Sequence, residues 1–251
     1  YLKQVLRVQV GDMINVRLPE GSLQAFTVAK INEKNKKIIL QICDKRLSEI
    51  QSSQNQSVTR GVQADEIEKE EILNDIEYTL FQFIPKPVKL EQIVRQATEC
   101  GIKTIVPIIG DFSEKSSIQA IQGESSKKER LERIIREARQ QSGSPINTQI
   151  TEPMLLEKAI DLWNNNSEEK VGFVLYERNE DSVLLKSIFE EKKEIKKICI
   201  AVGCEGGISP NEFELLCKKG QFNSIHFSVN ILRCETAAIY GIAAVQSALE
   251  K

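Results

Sequence analysis

Two strand–loop–helix units stand in tandem at the end of this chain, and they constrain its fold more than any other feature. Within residues 197–251, two apolar runs, 198–202 and 224–229, each open into a loop that leads into a helix. The first loop, Gly203-Cys204-Glu205-Gly206-Gly207, is crowded with glycine. The second, Asn230-Ile231-Leu232-Arg233, has none but carries a single cation. Loops of this kind, placed at the C-terminal ends of strands, are where α/β proteins build their ligand pockets.

Local signals in the region agree. Ser209-Pro210-Asn211-Glu212 reads as an N-cap, a proline at the first helical position and the acid of a capping box. Phe213, Leu216 and Cys217 form the apolar side of that helix, and Gly220 supplies its stop. The final helix sorts into two faces. Ala237, Gly241, Ala244 and Ala248 make a row of small residues, while Ile239, Ile242, Val245 and Leu249 make an adjacent hydrophobic face. A helix built this way is expected to lie between its own domain and a second surface.

Upstream the same alternation continues. Strand patterns at 78–84, 104–109, near 148–150 and at 171–176 are separated by helical patterns at 88–100, 127–139 and 154–163. Alternating β and α elements specify a largely parallel sheet with helices on both faces. Before residue 73 the pattern differs. Short strand signals at 13–18, 25–31 and 37–42, the last two joined as a hairpin by residues 32–36, predict a small β-barrel. A polar stretch at 48–61 and an acidic run at 65–71 then act as a linker. The expected division is therefore a barrel with its linker over 1–73 and an α/β domain over 74–251.

Composition excludes several function classes. No apolar run approaches the ~20 residues that span a bilayer, and no secretory signal is visible, so a cytoplasmic protein is expected. The six cysteines, at 43, 100, 199, 204, 217 and 234, show no metal-ligand or paired spacing and read as thiols of a reducing compartment. The single histidine, His226, falls inside a predicted strand, which leaves no Ser-His or Cys-His relay to propose. No phosphate-binding loop of the Walker type is present.

A formal net charge of −2 means that any nucleic-acid site must be a local patch. The strongest candidate is the helix at 127–139. Leu131, Ile134, Ile135 and Ala138 form its buried stripe, and Arg130, Arg133, Arg136 and Arg139 spread over the other side. Glu129, Glu132 and Glu137 offset them, so a solvated face with ordinary salt bridges is the competing reading.

The ordered string V-G-x-E-G-G-x-S-x-x-E, a second strand, and then I-L-R-x-E-T-A-A resembles the ribosomal small-subunit methyltransferase E family. These are 16S rRNA uridine-N3 methyltransferases of the SPOUT (α/β-knot) superfamily. The likeness extends through L-R-x-x-x-G-D at 6–12, Pro85-Lys86 with Lys89 and Glu91, and Ala97-Thr98-Glu99 with Gly101. Ser113-Glu114-Lys115-Ser116 and residues 137–143, EARQQSG, resemble two further family blocks.

The resemblance implies a trefoil-knotted, mostly parallel SPOUT domain behind a PUA-like, RNA-binding β-barrel. It implies S-adenosyl-L-methionine as cofactor, 16S rRNA or the small ribosomal subunit as substrate, and a homodimer formed through the C-terminal helix and knot region. Cofactor contacts are expected from Leu175, Tyr176, Glu177, Gly203, Glu205, Gly206, Gly207, Ile231 and Leu232. RNA contacts are expected from Arg7, Lys86, Lys89, Lys115, Arg130, Arg133 and Arg136. Uridine N3 loses its proton as it is methylated, and Arg233 is the cation expected to stabilise the developing anion, unless it is held by Glu205 or Glu235.

The chain departs from the family pattern at Cys204 and Cys234, which replace proline and threonine, at Asn230, Lys115 and Gln140, and at Ser144, which replaces arginine. It begins at Tyr1, and the resemblance implies a further strand before that point. Two other readings stay open: methylation of another RNA position such as a ribose 2′-hydroxyl, and a noncatalytic RNA-binding protein that kept the fold.

Overall fold

The computed structural model describes residues 8–18, 22–32, 37–42, 76–122, 125–165, 169–177, 185–191, 194–227 and 229–249. The predicted polar linker, the acidic run, Cys43 and Arg7 lie outside the described residues. The chain divides into two compact units, Tyr1–Ile72 and Leu73–Lys251.

In the first unit, β1 (Met13–Arg17), β2 (Leu23–Asn32) and β3 (Lys37–Ile42) form an antiparallel sheet in that order. β2 is the central strand and buries Ala25 and Val28. The β2–β3 ladder runs from Asn32↔Lys37 to Phe26↔Ile42 and shifts register between Val28 and Lys30, the signature of a bulge. Gly11, at a φ of 96°, donates its N–H to the Val28 carbonyl and closes the chain onto this sheet. Among the described residues the sheet has three strands and does not close into a barrel.

The second unit is the parallel α/β structure expected from sequence. Its elements are β4 (Glu77–Phe83), α1 (Pro87–Glu99), β5 (Thr104–Ile109), α2 (Lys115–Gln122), α3 (Ser125–Ser142), β6 (Gln149–Ile150) and β7 (Met154–Leu155). They continue with α4 (Leu156–Asn164), β8 (Lys170–Leu175), α5 (Leu185–Glu191), β9 (Lys197–Val202), α6 (Pro210–Lys218), β10 (Phe222–Ile225) and α7 (Cys234–Ser247). The sheet order is β10-β8-β9-β4-β5-β6, with β7 also paired to β5, and every pairing is parallel.

Side chains alternate between two cores, as a strand period of two requires. Ile198, Ile200 and Val202 of β9 face one core with Leu90 and Ile93 of α1, Leu131 of α3, Ile188 of α5 and Ile242 of α7. Cys199 and Ala201 face the other, with Leu156 and Ile160 of α4 and Leu216 of α6. Helices α1 and α6, which follow the neighbouring strands β4 and β9, thus cover opposite faces. A crevice must open above the C-terminal ends of two such strands.

The local caps form as the sequence specifies. Ser209 accepts from the Glu212 N–H, and the Glu212 carboxylate accepts from the Ser209 N–H, so both halves of the capping box are present. Gly101 ends α1 at a φ of 75°. At the end of α6, however, the left-handed residue is Gln221, at a φ of 56°, rather than Gly220. Gly220 is small for a different reason: a Cβ there would sit 2.7 Å from the Leu216 carbonyl oxygen.

Three further expectations need correction. β10 stops at Ile225, so His226 is exposed beyond the strand rather than within it. Helices α2 and α5 were not legible as separate elements, and the helix expected from 154 begins at Leu156, after two residues of strand. The two faces expected of α7 also merge. Its buried residues include Ala238, Gly241, Ile242 and Val245, and a Cβ on Gly241 would lie 2.7 Å from Leu175 Cδ2. The notch at Gly241 is filled within the chain, and cannot serve as a free contact surface.

Replacing Gly241 with leucine therefore overpacks the seat of Leu175. The expected result is a loss of about 1–3 kcal/mol of stability, seen as a lower urea midpoint at unchanged slope. A midpoint equal to the wild type would contradict this packing.

Candidate active site

The glycine loop after β9 is a tight turn whose glycines serve three different needs. The Gly207 N–H donates to the Cys204 carbonyl at 3.0 Å, and Gly207 has a φ of 80°, where side chains are disfavoured. A Cβ on Gly203 would meet the Gly207 carbonyl carbon at 2.6 Å, so Gly203 lets the turn fold back on itself. A Cβ on Gly206 would meet Phe112 Cβ at 2.7 Å, so Gly206 admits the loop that follows β5. At Gly207 a Cβ would meet nothing closer than an ordinary contact. The nearest atom to a Cβ there would be Glu177 Oε1 at 3.7 Å, which brings the end of β8 to the same turn.

Lys89 of α1 ties this turn to the start of α7. Its ammonium lies 3.6 Å from Glu205 Oε1 and 3.1 Å from Glu235 Oε2. The Glu235 hydrogen bond, with help from both carboxylates, raises the Lys89 pKa. Burial pushes the Glu235 carboxyl up, but its own backbone N–H, Lys89 and the Cys234 thiol outweigh burial and hold it below the usual range. Glu205 also accepts from the Lys86 N–H at 3.2 Å. Lys89, expected to contact RNA, is placed in this bridge.

Arg233 is the N-cap residue of α7, and its side chain is exposed. Among the described residues it forms no ion pair, because the two carboxylates that could hold it, Glu205 and Glu235, belong to Lys89. The positive end of α7 lies beside it. Ile231 is 87% exposed and Leu232 is half-buried, so the loop stands open above the sheet edge. Leu175 packs on Gly241, and Tyr176 stacks on Phe213 with ring centroids 4.0 Å apart. Loops after β8, β9 and β10 therefore converge at one edge.

A strut that sequence reasoning missed holds the fourth wall. Glu212 accepts from the Asp111 N–H at 2.7 Å as well as capping α6, and Ser209 Oγ donates to Asp111 Oδ2 at 2.6 Å. The capping motif was readable, but its bonds to a loop some hundred residues away were not. The same holds for Phe112 on Gly206 and for Gln82, whose side chain bonds the turn from inside the sheet.

The remaining cations expected at RNA are placed as follows. Lys86 pairs with Glu114 at 3.5 Å, Arg130 makes a two-pronged contact with Glu91, and Arg133 lies 4.0 Å from Glu137. Arg136 is exposed on α3, and Lys115 is exposed at the start of α2. A groove of about 710 Å³ runs between α1, α2 and α3, floored by Leu90, Ile121 and Leu131 and edged by Arg130, Arg133 and Arg136. It is separate from the glycine turn but reaches Pro87, next to Lys86.

The fold and this site define a class. A family model described as an RNA methyltransferase domain matches residues 73–246. A ribosomal RNA small subunit methyltransferase E of Rickettsia conorii is 32% identical over 249 residues, which is 98% of this chain and 85% of that protein. Ribosomal RNA small subunit methyltransferase E 2 of Borreliella burgdorferi is 30% identical over 252 residues, covering 100% and 88%. The chain belongs to the ribosomal RNA small subunit methyltransferase E family.

Solved structures agree on the fold. A ribosomal RNA small subunit methyltransferase E from Neisseria gonorrhoeae bound to S-adenosyl methionine matches with a TM-score of 0.69 at 19% identity, over 98% of this chain and 86% of that one. A putative methyltransferase from Legionella pneumophila in complex with the same cofactor matches at 0.65 and 19%, over 98% and 87%. Among the described residues no helix is long and apolar enough to cross a membrane, and no cluster suited to a metal ion is present.

Cys234 sits inside this site yet is built to be inert. Burial, then the hydrogen bond to Glu235, pushes its thiol up to about 12. The neutral form therefore persists until the pH nears that value, and at pH 8 only roughly one molecule in ten thousand carries the thiolate. Native protein treated with iodoacetamide at pH 8 is expected to leave Cys234 unmodified by peptide mass mapping. Rapid alkylation of Cys234 in folded protein would refute this electrostatic picture.

Proposed function

We propose that this protein methylates N3 of a uridine in 16S rRNA, using S-adenosyl-L-methionine bound across the loops after β8, β9 and β10. The observation that carries the reading is the Lys89 bridge. By holding Glu205 and Glu235 together it joins the glycine turn to the helix start that presents Arg233, which has no carboxylate partner among the described residues. The residues suit the cofactor. Gly207 leaves the turn open toward Glu177, and that acidic side chain complements a donor carrying sulfonium and ammonium charges.

S-adenosylmethionine supplies a methyl group on a cationic sulfur and leaves as a neutral thioether. Leu175, Tyr176, Glu177, Gly203, Glu205, Gly206, Gly207, Ile231 and Leu232 are the residues assigned to hold it. Arg233 then stabilises the negative charge that develops on the uracil ring as N3 gives up its proton to water and takes the methyl group. The α7 N-terminus adds to the same field.

The RNA itself is assigned to the groove edged by Arg130, Arg133 and Arg136, with Lys86 and Lys115 nearby and Arg7 in the first unit. The first unit is read as a PUA-like barrel over 1–73, the second as a knotted SPOUT domain over 74–251. A homodimer through the C-terminal helix and knot region is part of the proposal. Val229 and Ile231 in the loop before α7, and Tyr240 within it, are exposed apolar residues, at 45%, 87% and 41%. The substrate places the reaction in the cytoplasm, on rRNA or the small ribosomal subunit.

Gly206→Val displaces Phe112 from the turn, and calorimetric titration with S-adenosylmethionine is expected to show no binding while the protein remains folded. Undiminished affinity in that variant would remove the glycine turn from the site.

Arg233→Ala should lower the methylation rate by about a hundredfold or more, with cofactor affinity changed only slightly, because the group acts on charge present in the transition state. Equal losses in rate and in cofactor binding would make Arg233 a binding residue instead.

A further inference from the structure

Gln82 breaks the pattern of its strand. Its neighbours on the same face of β4, Tyr78 and Leu80, belong to the apolar core, yet Gln82 is a fully buried amide. Its Nε2 donates to the Phe83 carbonyl at 2.9 Å, to Gly203 at 3.1 Å and to Val202 at 3.3 Å. The last two are the end of β9 and the first residue of the glycine turn. Two N–H groups share three acceptors, and Oε1 is buried with no hydrogen-bond partner. An aliphatic side chain would fill this place without that polar cost. A local rule broken in the core, beside a loop that lines the site, points to function.

We propose that Gln82 is the positioning residue of the glycine turn. Its amide draws the Val202 and Gly203 carbonyls inward and so fixes the backbone that receives the cofactor. This rests on the reading of that turn as the cofactor site. Gln82 touches no substrate; it acts through Gly203. The titratable groups that α1, α7 and the turn bring to this side of the sheet are Lys89, Cys234, Glu235 and Glu205. They pair among themselves, and Cys204 is the other titratable group of the turn.

The test uses the full chain and titration with S-adenosylmethionine. Gln82→Met keeps the volume but removes both the donor and the unpartnered oxygen. Measured where it is fully folded, it should bind about tenfold more weakly or worse. A purely structural role predicts lower stability with normal affinity in the folded molecules.

Gln82→Glu supplies a second readout. Its ionised carboxylate would face three carbonyl oxygens, whereas the protonated acid retains one donor. Full burial raises such a carboxyl by up to about 3–5 pH units, into titration between about pH 7 and 9. The ratio of variant to wild-type Kd, which cancels the ligand's own titration, should rise with pH across that window. Wild-type affinity in folded Gln82→Met, or a ratio for Gln82→Glu that is flat with pH, overturns the inference. Failure of both variants to fold overturns it too, making Gln82 a core requirement. Absence of binding by the wild type would instead defeat the cofactor reading beneath it.

Discussion

Strand β9 is the constraint on which the rest of the second unit depends. It is hydrogen-bonded on both sides, to β4 and to β8, and Ile198, Cys199, Ile200, Ala201 and Val202 are all at most 1% exposed. A strand with both faces buried and both edges paired cannot slip without exposing its entire apolar set. Because every pairing is parallel, fixing β9 also fixes where its neighbours end. Gln82 lies opposite Val202, Val174 opposite Ala201, and Leu175 opposite Ile225. The loops that follow all leave from one edge. The crossover to α6 passes over the opposite face from those to α1 and α5.

Charge allocation at that edge follows from position. Lys89 is one turn into α1, close enough to reach the β9 turn and the α7 start together. One ammonium between two carboxylates leaves a net negative pair with no need of a second cation for packing. Arg233, one residue before α7, forms no ion pair among the described residues. The family's threonine position holds Cys234 here, and its thiol donates to Glu235 at 3.3 Å, as a hydroxyl could. The departure at Cys234 thus preserves a donor to Glu235.

What the sequence revealed and what it hid divide by range. The capping box of Ser209 and Glu212, the stop at Gly101 and the buried stripe of α3 are settled within a few residues, and all were legible. The end of β10 was not. Its apolar run continues to Val229, but its ladder to β8 ends at Leu175↔Ile225, so His226 has no strand to join. Gly241 belonged to a row of small residues that could have met any surface; only the fold brings Leu175 to it. Gln82 and the bond from the Asp111 N–H to Glu212 span about a hundred positions or more and leave no local pattern. The glycines of the β9 loop were recognisable as a turn, but their separate causes lay in Phe112 and in the turn's own backbone.

The basic face of α3 holds its cations in exposed ion pairs, in a chain whose formal net charge is −2. Arg130 is bonded to Glu91 by two contacts, and Arg133 lies beside Glu137, but all four side chains are well exposed or at the surface. Exposed ion pairs are weak, because water and salt screen them and because two long side chains must be held still. A phosphate that replaces one carboxylate therefore costs little, while the displaced Glu91 or Glu137 returns to water. Binding at such a surface is an exchange of partners rather than the filling of an unpaired patch. That accounts for a groove edged by arginines in a chain whose acids slightly outnumber its bases.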